Sequence, residues 1–339
     1  MGKLNTSYMG IALEHPIIAG ASSLTSNMDT VKQLEESGAA AIVISSLFEE
    51  QIQLERMRLE EELSRFDNLD PEMITVFPRV HHAGPEEHLL WVRKAKESVA
   101  IPVIASLNAV NHETWVEYAG LLAETGVDGL ELNFYATPVD ATRDGGAIED
   151  EQIAVLRDIR ASVSIPISVK LSPFYTNPLH VIGRMDAEGV AGFVLFNRFF
   201  QPEIDVAKQK NTYPLNLSRE GDYGLALRFT ALLFGTIAGD ICANTGIFSG
   251  EDVARMILAG ATCVEVVSTL FRNRIPHLKT MVGGLEAWMD DKGYASLGAF
   301  RGSLSQKNSS DPWAYSRAQY VRLLLRPNPL GDAFRSGRP

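Results

Sequence analysis

Cysteine is nearly missing from this sequence: Cys242 and Cys263 are the only two in 339 residues. Both stand in apolar runs, where free buried thiols of a reducing compartment are expected. Two are also too few for an iron–sulfur cluster held by four cysteines of this chain. Long hydrophobic runs are lacking as well. None approaches the roughly 20 residues of a membrane helix, and no secretory-signal pattern precedes Pro16. Positive charge is in deficit, with 31 Lys and Arg against 42 Asp and Glu and a formal net charge of −11. That balance opposes binding to nucleic acid or to an anionic membrane by bulk electrostatics. No Gly/Ser linker or low-complexity stretch divides the chain. The expectation is a cytoplasmic protein with no nucleic-acid, membrane or metal partner.

What is present is ordinary for a large soluble fold: 45% hydrophobic and 22% charged residues. The stretch Asp240–Leu270 sets the pattern for the rest. An apolar run, Ile241–Ala243, breaks at Asn244-Thr245-Gly246, and Ser249 with Asp252 makes a capping box for a helix. Gly260 stops that helix, and Ala261–Val267 reads as a second buried strand ending at Ser268-Thr269. The same helix–glycine–strand order recurs at Gly38, Gly126 and Gly189, and strands opened by proline or aspartate lie between: Pro16–Gly20, Ile101–Ala105, Ile165–Val169 and Asp240–Ala243. That makes eight buried strands. Helical patterns fill the gaps, near 28–37, 87–99, 112–125, 150–163, 178–188, 223–237 and 250–259. Alternating helices and near-continuous apolar strands indicate a parallel sheet covered on both faces. Eight units predict a closed (β/α)8 TIM barrel.

Insertions are expected after strands two and six: a charged amphipathic helix over Phe48–Phe66, and strands or a flap within Phe199–Asp222. Both fall on the face where barrels keep their chemistry. Residues 1–302 are read as the barrel. Residues 303–339 are read as a basic, aromatic extension that packs on the barrel or on a partner subunit.

Polar residues at the ends of buried strands mark the candidate site, because burying them costs free energy unless they are satisfied. Lys170, inside Ile167-Ser168-Val169-Lys170-Leu171, is the sharpest. It is either a structural ion pair to Glu131 or Glu265 or a functional ammonium. Asn133 and Asn197 end the neighbouring strands. Two carboxamides and one ammonium at three consecutive strand ends suit a planar heterocycle with carbonyls and ring nitrogens. The ammonium would stabilise negative charge developing on the ring. Loops after the last two strands are a common phosphate site in such barrels.

The ordered set Gly20-Ala21-Ser22-Ser23, Glu131-Leu132-Asn133, Val169-Lys170-Leu171-Ser172-Pro173, Asn197, Thr245-Gly246-Ile247 and Gly260–Val266 resembles the dihydroorotate dehydrogenase family, chiefly its soluble class 1 branch. The resemblance runs from about Pro16 to Gly302, where Asp291–Gly302 is similar to the family's closing helix. It implies FMN, a flavin-dependent oxidoreductase of CH–CH bonds, and a place in pyrimidine biosynthesis. It puts the phosphate at Thr245-Gly246 and Ser268-Thr269. Ala21, Ser22 and Ser106 would lie beside the flavin, Lys170 near its pyrimidine edge, and Asn133 and Asn197 on flavin or substrate. Hydride would pass from a dihydropyrimidine, dihydroorotate by analogy, to the flavin, while a base after strand four takes a neighbouring proton. A homodimer and an unidentified soluble electron acceptor complete the expectation.

The chain departs from the family where that base belongs. The family's Asn-x-x-Cys-Pro or Asn-x-x-Ser-Pro becomes Asn133-Phe134-Tyr135-Ala136-Thr137-Pro138. Strict alignment puts Ala136 at the base position; a one-residue insertion puts Thr137 there, a weak base unless activated. Tyr135 is the next candidate. Ile44 replaces a family lysine, Val267 a family glycine, and the substrate loop is not recognisable in Val80–Pro85. Two other functions fit parts of the pattern: a flavin-free phosphate-binding lyase or isomerase using Lys170 as an amine, and a non-catalytic flavoprotein that binds a partner through its tail and loops.

Overall fold

The computed structural model describes residues 2–53, 85–135, 139–198, 201–212, 214, 217–311, 315, 321 and 325. The chain begins with a short antiparallel hairpin, β1 (Thr6–Tyr8) and β2 (Ile11–Leu13), turned at Met9-Gly10. Eight parallel strands follow as β3 (Ile17–Ala19), β4 (Ile42–Val43), β6 (Val103–Asn108), β7 (Gly129–Asn133), β8 (Ile167–Leu171), β9 (Gly192–Leu195), β12 (Asp240–Asn244) and β13 (Cys263–Val266). Each pairs with the next, and β13 returns to β3 with Val264 opposite Ile17, so the sheet closes. The (β/α)8 barrel expected from the sequence is the fold.

Helices surround it: α1 (Met28–Glu36), α2 (Pro85–Ser98), α3 (His112–Ala123), α4 (Gly145–Ser162), α5 (Pro178–Ala187), α6 (Gly224–Leu233) and α7 (Gly250–Ala259). Two more, α8 (Ser268–Asn273) and α9 (His277–Lys292), follow the last strand. The capping box expected before α7 is present: Ser249 accepts from Asp252 N, and Asp252 accepts from Ser249 N. Gly260 ends that helix at φ 129°, a value that favours glycine.

Alternation along each strand divides the core in two. Ile17 and Ala19 join the large apolar layer between strands and helices. Ile18, Val43, Ile104, Val194, Cys242 and Cys263 fill the barrel interior. The two thiols are therefore free and buried, as expected.

The amino-terminal hairpin, which the sequence reading left out, packs against the barrel's lower end. Tyr8 and Met9 join the interior cluster, and Met9 N donates to Asp240 Oδ2 at 2.9 Å. Gly192 opens β9 because a Cβ there would lie 2.8 Å from the Tyr8 ring.

The insertion after strand two starts with β5 (Leu47–Phe48), which continues the edge by pairing Leu47 with Leu107, and residues 49–53 are helical. The rest of the helix expected over Phe48–Phe66 lies outside the described residues, as does the loop 80–84. After strand six a small antiparallel hairpin, β10 (Glu203–Asp205) with β11 (Lys210–Thr212), matches the expected flap. The likeness of Asp291–Gly302 to a closing helix needs correction. The helix stops at Lys292 because Gly293 takes the left-handed conformation, φ 72°, and only a short 3-10 turn, Leu297–Ala299, follows. Beyond residue 302, Leu304 N donates to Leu258 O and Gln306 N to Ala231 O, laying the start of the extension on α6 and α7.

Candidate active site

A cavity of about 400 Å³ opens at the carboxyl ends of the strands. Small residues after β3, Ala21, Ser22 and Ser23, form one edge, and Ser45, Ser46 and Phe48 form the next. Asn133 and Tyr135 follow β7, Lys170 comes from β8, and Asn197 and Arg198 follow β9. The circle closes through Asn244–Ile247 after β12 and Glu265–Thr269 on β13 and α8.

The end of the cavity at β12 and β13 is a cradle of backbone N–H groups and hydroxyls. Thr245 and Gly246 both have positive φ, 74° and 75°, and a Cβ on Gly246 would sit 2.6 Å from Asp222 N. Only glycine fits there without displacing backbone. Gly246 N donates to Ser218 Oγ at 3.2 Å, and Ser218 N donates to Ser268 Oγ at 2.9 Å. Ser268 also opens α8 in place of merely ending the strand. Each of these amides bonds a neighbouring side-chain hydroxyl, and an anion seated here would meet the same amides and hydroxyls.

The cavity floor carries charge. Lys170 Nζ lies 2.5 Å from Glu265 Oε1 and 3.4 Å from Glu131 Oε1, with all three side chains at most 6% exposed. Lys170 is the one buried lysine among the described residues. Burial pulls its pKa down, but the carboxylates of Glu131 and Glu265 outweigh that and hold it above the ordinary value. Glu131 is pushed up to about 8, first by burial and then by the neighbouring Glu265. Gly20 makes room for Glu265: a Cβ there would meet Glu265 Cγ at 2.7 Å. The ion pair read from the sequence is therefore present, to both Glu131 and Glu265, and the ammonium also lines the cavity.

Asn197 Nδ2 donates to Asn133 Oδ1, joining the two carboxamides at the rim. Asn108 Nδ2 donates to Asn133 O at 2.7 Å and braces the strand end behind it. Ala21, Ser22, Asn133, Lys170, Asn197, Thr245, Gly246, Ser268 and Thr269 thus line one cavity. Ser106 does not reach it. That side chain is fully buried, and its hydroxyl bonds Ser46 Oγ at 2.7 Å, so Ser46 takes the place at the surface of the cavity. Ala136 and Thr137 lie outside the described residues.

Sequence reasoning missed several contributors. Ser218 sits in the insertion after strand six, where no strand-end rule applied. Asn244 precedes the predicted Thr245-Gly246 and accepts from Thr245 N. Glu49 is buried and accepts from the amides of Val110 and Asn111, and this fastens the helical residues 49–53 to the loop after β6.

The family model for dihydroorotate dehydrogenase matches residues 81–289. The catalytic subunit of dihydroorotate dehydrogenase B (NAD(+)) from Thermoplasma acidophilum is 26% identical over 306 residues, 88% of this chain and 97% of the relative. The corresponding subunit from Methanosarcina acetivorans is 24% identical, covering 85% and 92%. Dihydroorotate dehydrogenase A (fumarate) from Lacticaseibacillus paracasei is 28% identical over 210 residues, 59% of this chain and 70% of that protein.

Proposed function

The chain belongs to the dihydroorotate dehydrogenase family, and from that premise we propose an FMN-dependent oxidoreductase that takes a hydride from a dihydropyrimidine-like substrate. The observation that carries this reading is one cavity with an anion cradle at β12–β13 and a buried ammonium beside two carboxamides. Its size, about 400 Å³, falls in the range of about 300–1,000 Å³ usual for cofactor clefts. Thr245-Gly246, Ser218 and Ser268-Thr269 would hold the phosphate. Ala21 and Ser22 offer a flat edge for the ring, and Lys170, Asn133 and Asn197 would meet its carbonyls and nitrogens.

FMN, when bound, supplies a two-electron acceptor. The chain's own part is electrostatic and positional. Lys170 presents a fixed positive charge where negative charge develops, in a site where it need not reorganise. Asn133 and Asn197, bonded to each other, orient whatever lies against them. An amine nucleophile needs a lowered pKa, and Lys170 is held the other way; this weighs against the flavin-free lyase or isomerase.

The proton that leaves with the hydride needs a base from residues 135–137. Ala136 has no acceptor and Thr137 is weak, so slow oxidation of dihydroorotate itself is expected, with a substrate that is smaller, differently substituted or more acidic preferred. The names of the relatives carry NAD(+) in some cases and fumarate in others, so they leave the acceptor open; a soluble one is proposed, along with a homodimer working in cytoplasmic pyrimidine metabolism. No helix among the described residues is long and apolar enough to cross a membrane. Denaturing the purified protein and chromatographing the released chromophore tests the cofactor: FMN is expected. A colourless protein that cannot be reconstituted with FMN would sink the proposal.

A further inference from the structure

Beneath the cavity lie three ionisable side chains with an uneven charge count. Glu131 on β7, Lys170 on β8 and Glu265 on β13 are all but excluded from solvent, and Lys170 is the only cation that contacts either carboxyl among the described residues. With all three ionised, the barrel interior would hold an uncompensated negative charge, which is costly in a dry core. The hydrogen-bond pattern carries the same signal. Glu265 Oε2 is buried with no donor of its own among the described residues. Both carboxyls converge on the one ammonium, Glu265 Oε1 at 2.5 Å and Glu131 Oε1 at 3.4 Å, so one proton kept on the pair leaves the layer neutral and spares the unpartnered oxygen from standing as a bare anion.

The geometry points to a single proton shared by Glu131 and Glu265, with Glu265 acting as the positioning residue that holds Lys170 at the cavity floor. The layer is then neutral, and the ammonium keeps its charge directed at the cavity. The other groups facing the pair do not change that count. Tyr8 below it, Cys242 and Cys263 beside it are all buried and held in their protonated, neutral forms. Asp240 lies further down, held by Met9 N, Thr262 Oγ1 and Arg301. A lone carboxylate against an ammonium gives up its proton readily, whereas two carboxyls on one ammonium keep one. Loss of the shared proton turns the floor net negative, so negative charge arriving beside Lys170 favours the protonated pair.

This inference rests on the FMN reading only for its second arm. The first arm uses flavin-free protein: infrared spectra at neutral pH should show the carbonyl stretch of a buried carboxylic acid, shifted by deuterium exchange. That band should vanish in Glu265→Gln and equally in Glu131→Gln, because each leaves one carboxylate for Lys170. Two positions guard against one variant failing to fold. No such band in the wild type, or a band that survives both changes, would overturn the shared proton. The second arm reads the two-electron potential of bound FMN against pH. At alkaline pH, where the oxidised protein has lost the shared proton, the wild type should take up as much as one proton more per two electrons than Glu265→Gln, and the difference should fade toward neutral pH, where the pair already holds it; equal uptake throughout would mean the pair does not answer to charge in the cavity. Failure to bind FMN would refute the proposed function and leave the infrared result to decide the proton.

Discussion

Replacing Lys170 with methionine keeps the length of the side chain and removes the only cation touching Glu131 and Glu265 among the described residues. The three side chains are 6%, 2% and 1% exposed, so water screens little of the interaction. Removing one partner of such a buried pair costs about 3–5 kcal/mol, a large part of the roughly 5–15 kcal/mol that stabilises a domain. The loss should depend on pH. The carboxyl of Glu131, at about 8 already in the intact protein, loses the ammonium that favours its charged form and is raised further above its unfolded value. Its contribution is fully present below the unfolded value and disappears as pH rises through the folded one, at most about 1.4 kcal/mol per pH unit for one proton. The rise is larger in the variant, so its deficit against the wild type should widen between mildly acidic and mildly alkaline pH. Urea unfolding of both proteins at two pH values measures this. A deficit under about 1 kcal/mol, or one that is the same at both pH values, would mean that the carboxylates are hydrated and the floor is not dry.

Gly246→Ala should weaken FMN binding about tenfold or more, since a strained φ of the kind recorded there costs about 1–3 kcal/mol; titration by quenching of flavin fluorescence reads it, and unchanged affinity would move the phosphate elsewhere. Ser106→Ala should leave FMN affinity within a factor of about two while costing about 1 kcal/mol of stability, because its hydroxyl is spent on Ser46; a large loss of affinity in the same titration would restore it to the site. Stopped-flow reduction by dihydroorotate is expected to be slow in the wild type. If Thr137 is the working base, Thr137→Val lowers the rate by about 10²–10⁴; a drop confined to Tyr135→Phe assigns the role to Tyr135, and fast reduction unaffected by either puts the base elsewhere.

The barrel was legible because its strands are near-continuous apolar runs, each announced by a glycine or proline, and because Ser249 and Asp252 mark a helix start whatever surrounds them. Lys170 was legible for the opposite reason: an ammonium in an apolar strand has few ways to be satisfied. Glu131 and Glu265 were legible as its alternative partners; that it meets both was not, since this depends on the register that brings Glu265, from a strand 95 residues away, into the same layer. Ser106 was misplaced because facing a cavity and facing a neighbouring hydroxyl have the same residue pattern; only the register that sets Leu47 opposite Leu107 decides it. The first hairpin has three-residue strands, too short for alternation to be read. Ser218 reaches the anion cradle through an insertion, beyond any strand-end rule.

That hairpin has an electrical consequence. With Tyr8 and Met9 packed into the base of the barrel, traffic of water and ions to the floor is left to the mouth, on the side where ligands enter. The carboxyl–ammonium layer then behaves like one plate of a capacitor, insulated behind and facing only its ligand, so charge placed in the cavity is felt there at close to full strength. Trimming the chain back past Leu13 would ground that plate without touching a single residue of the site.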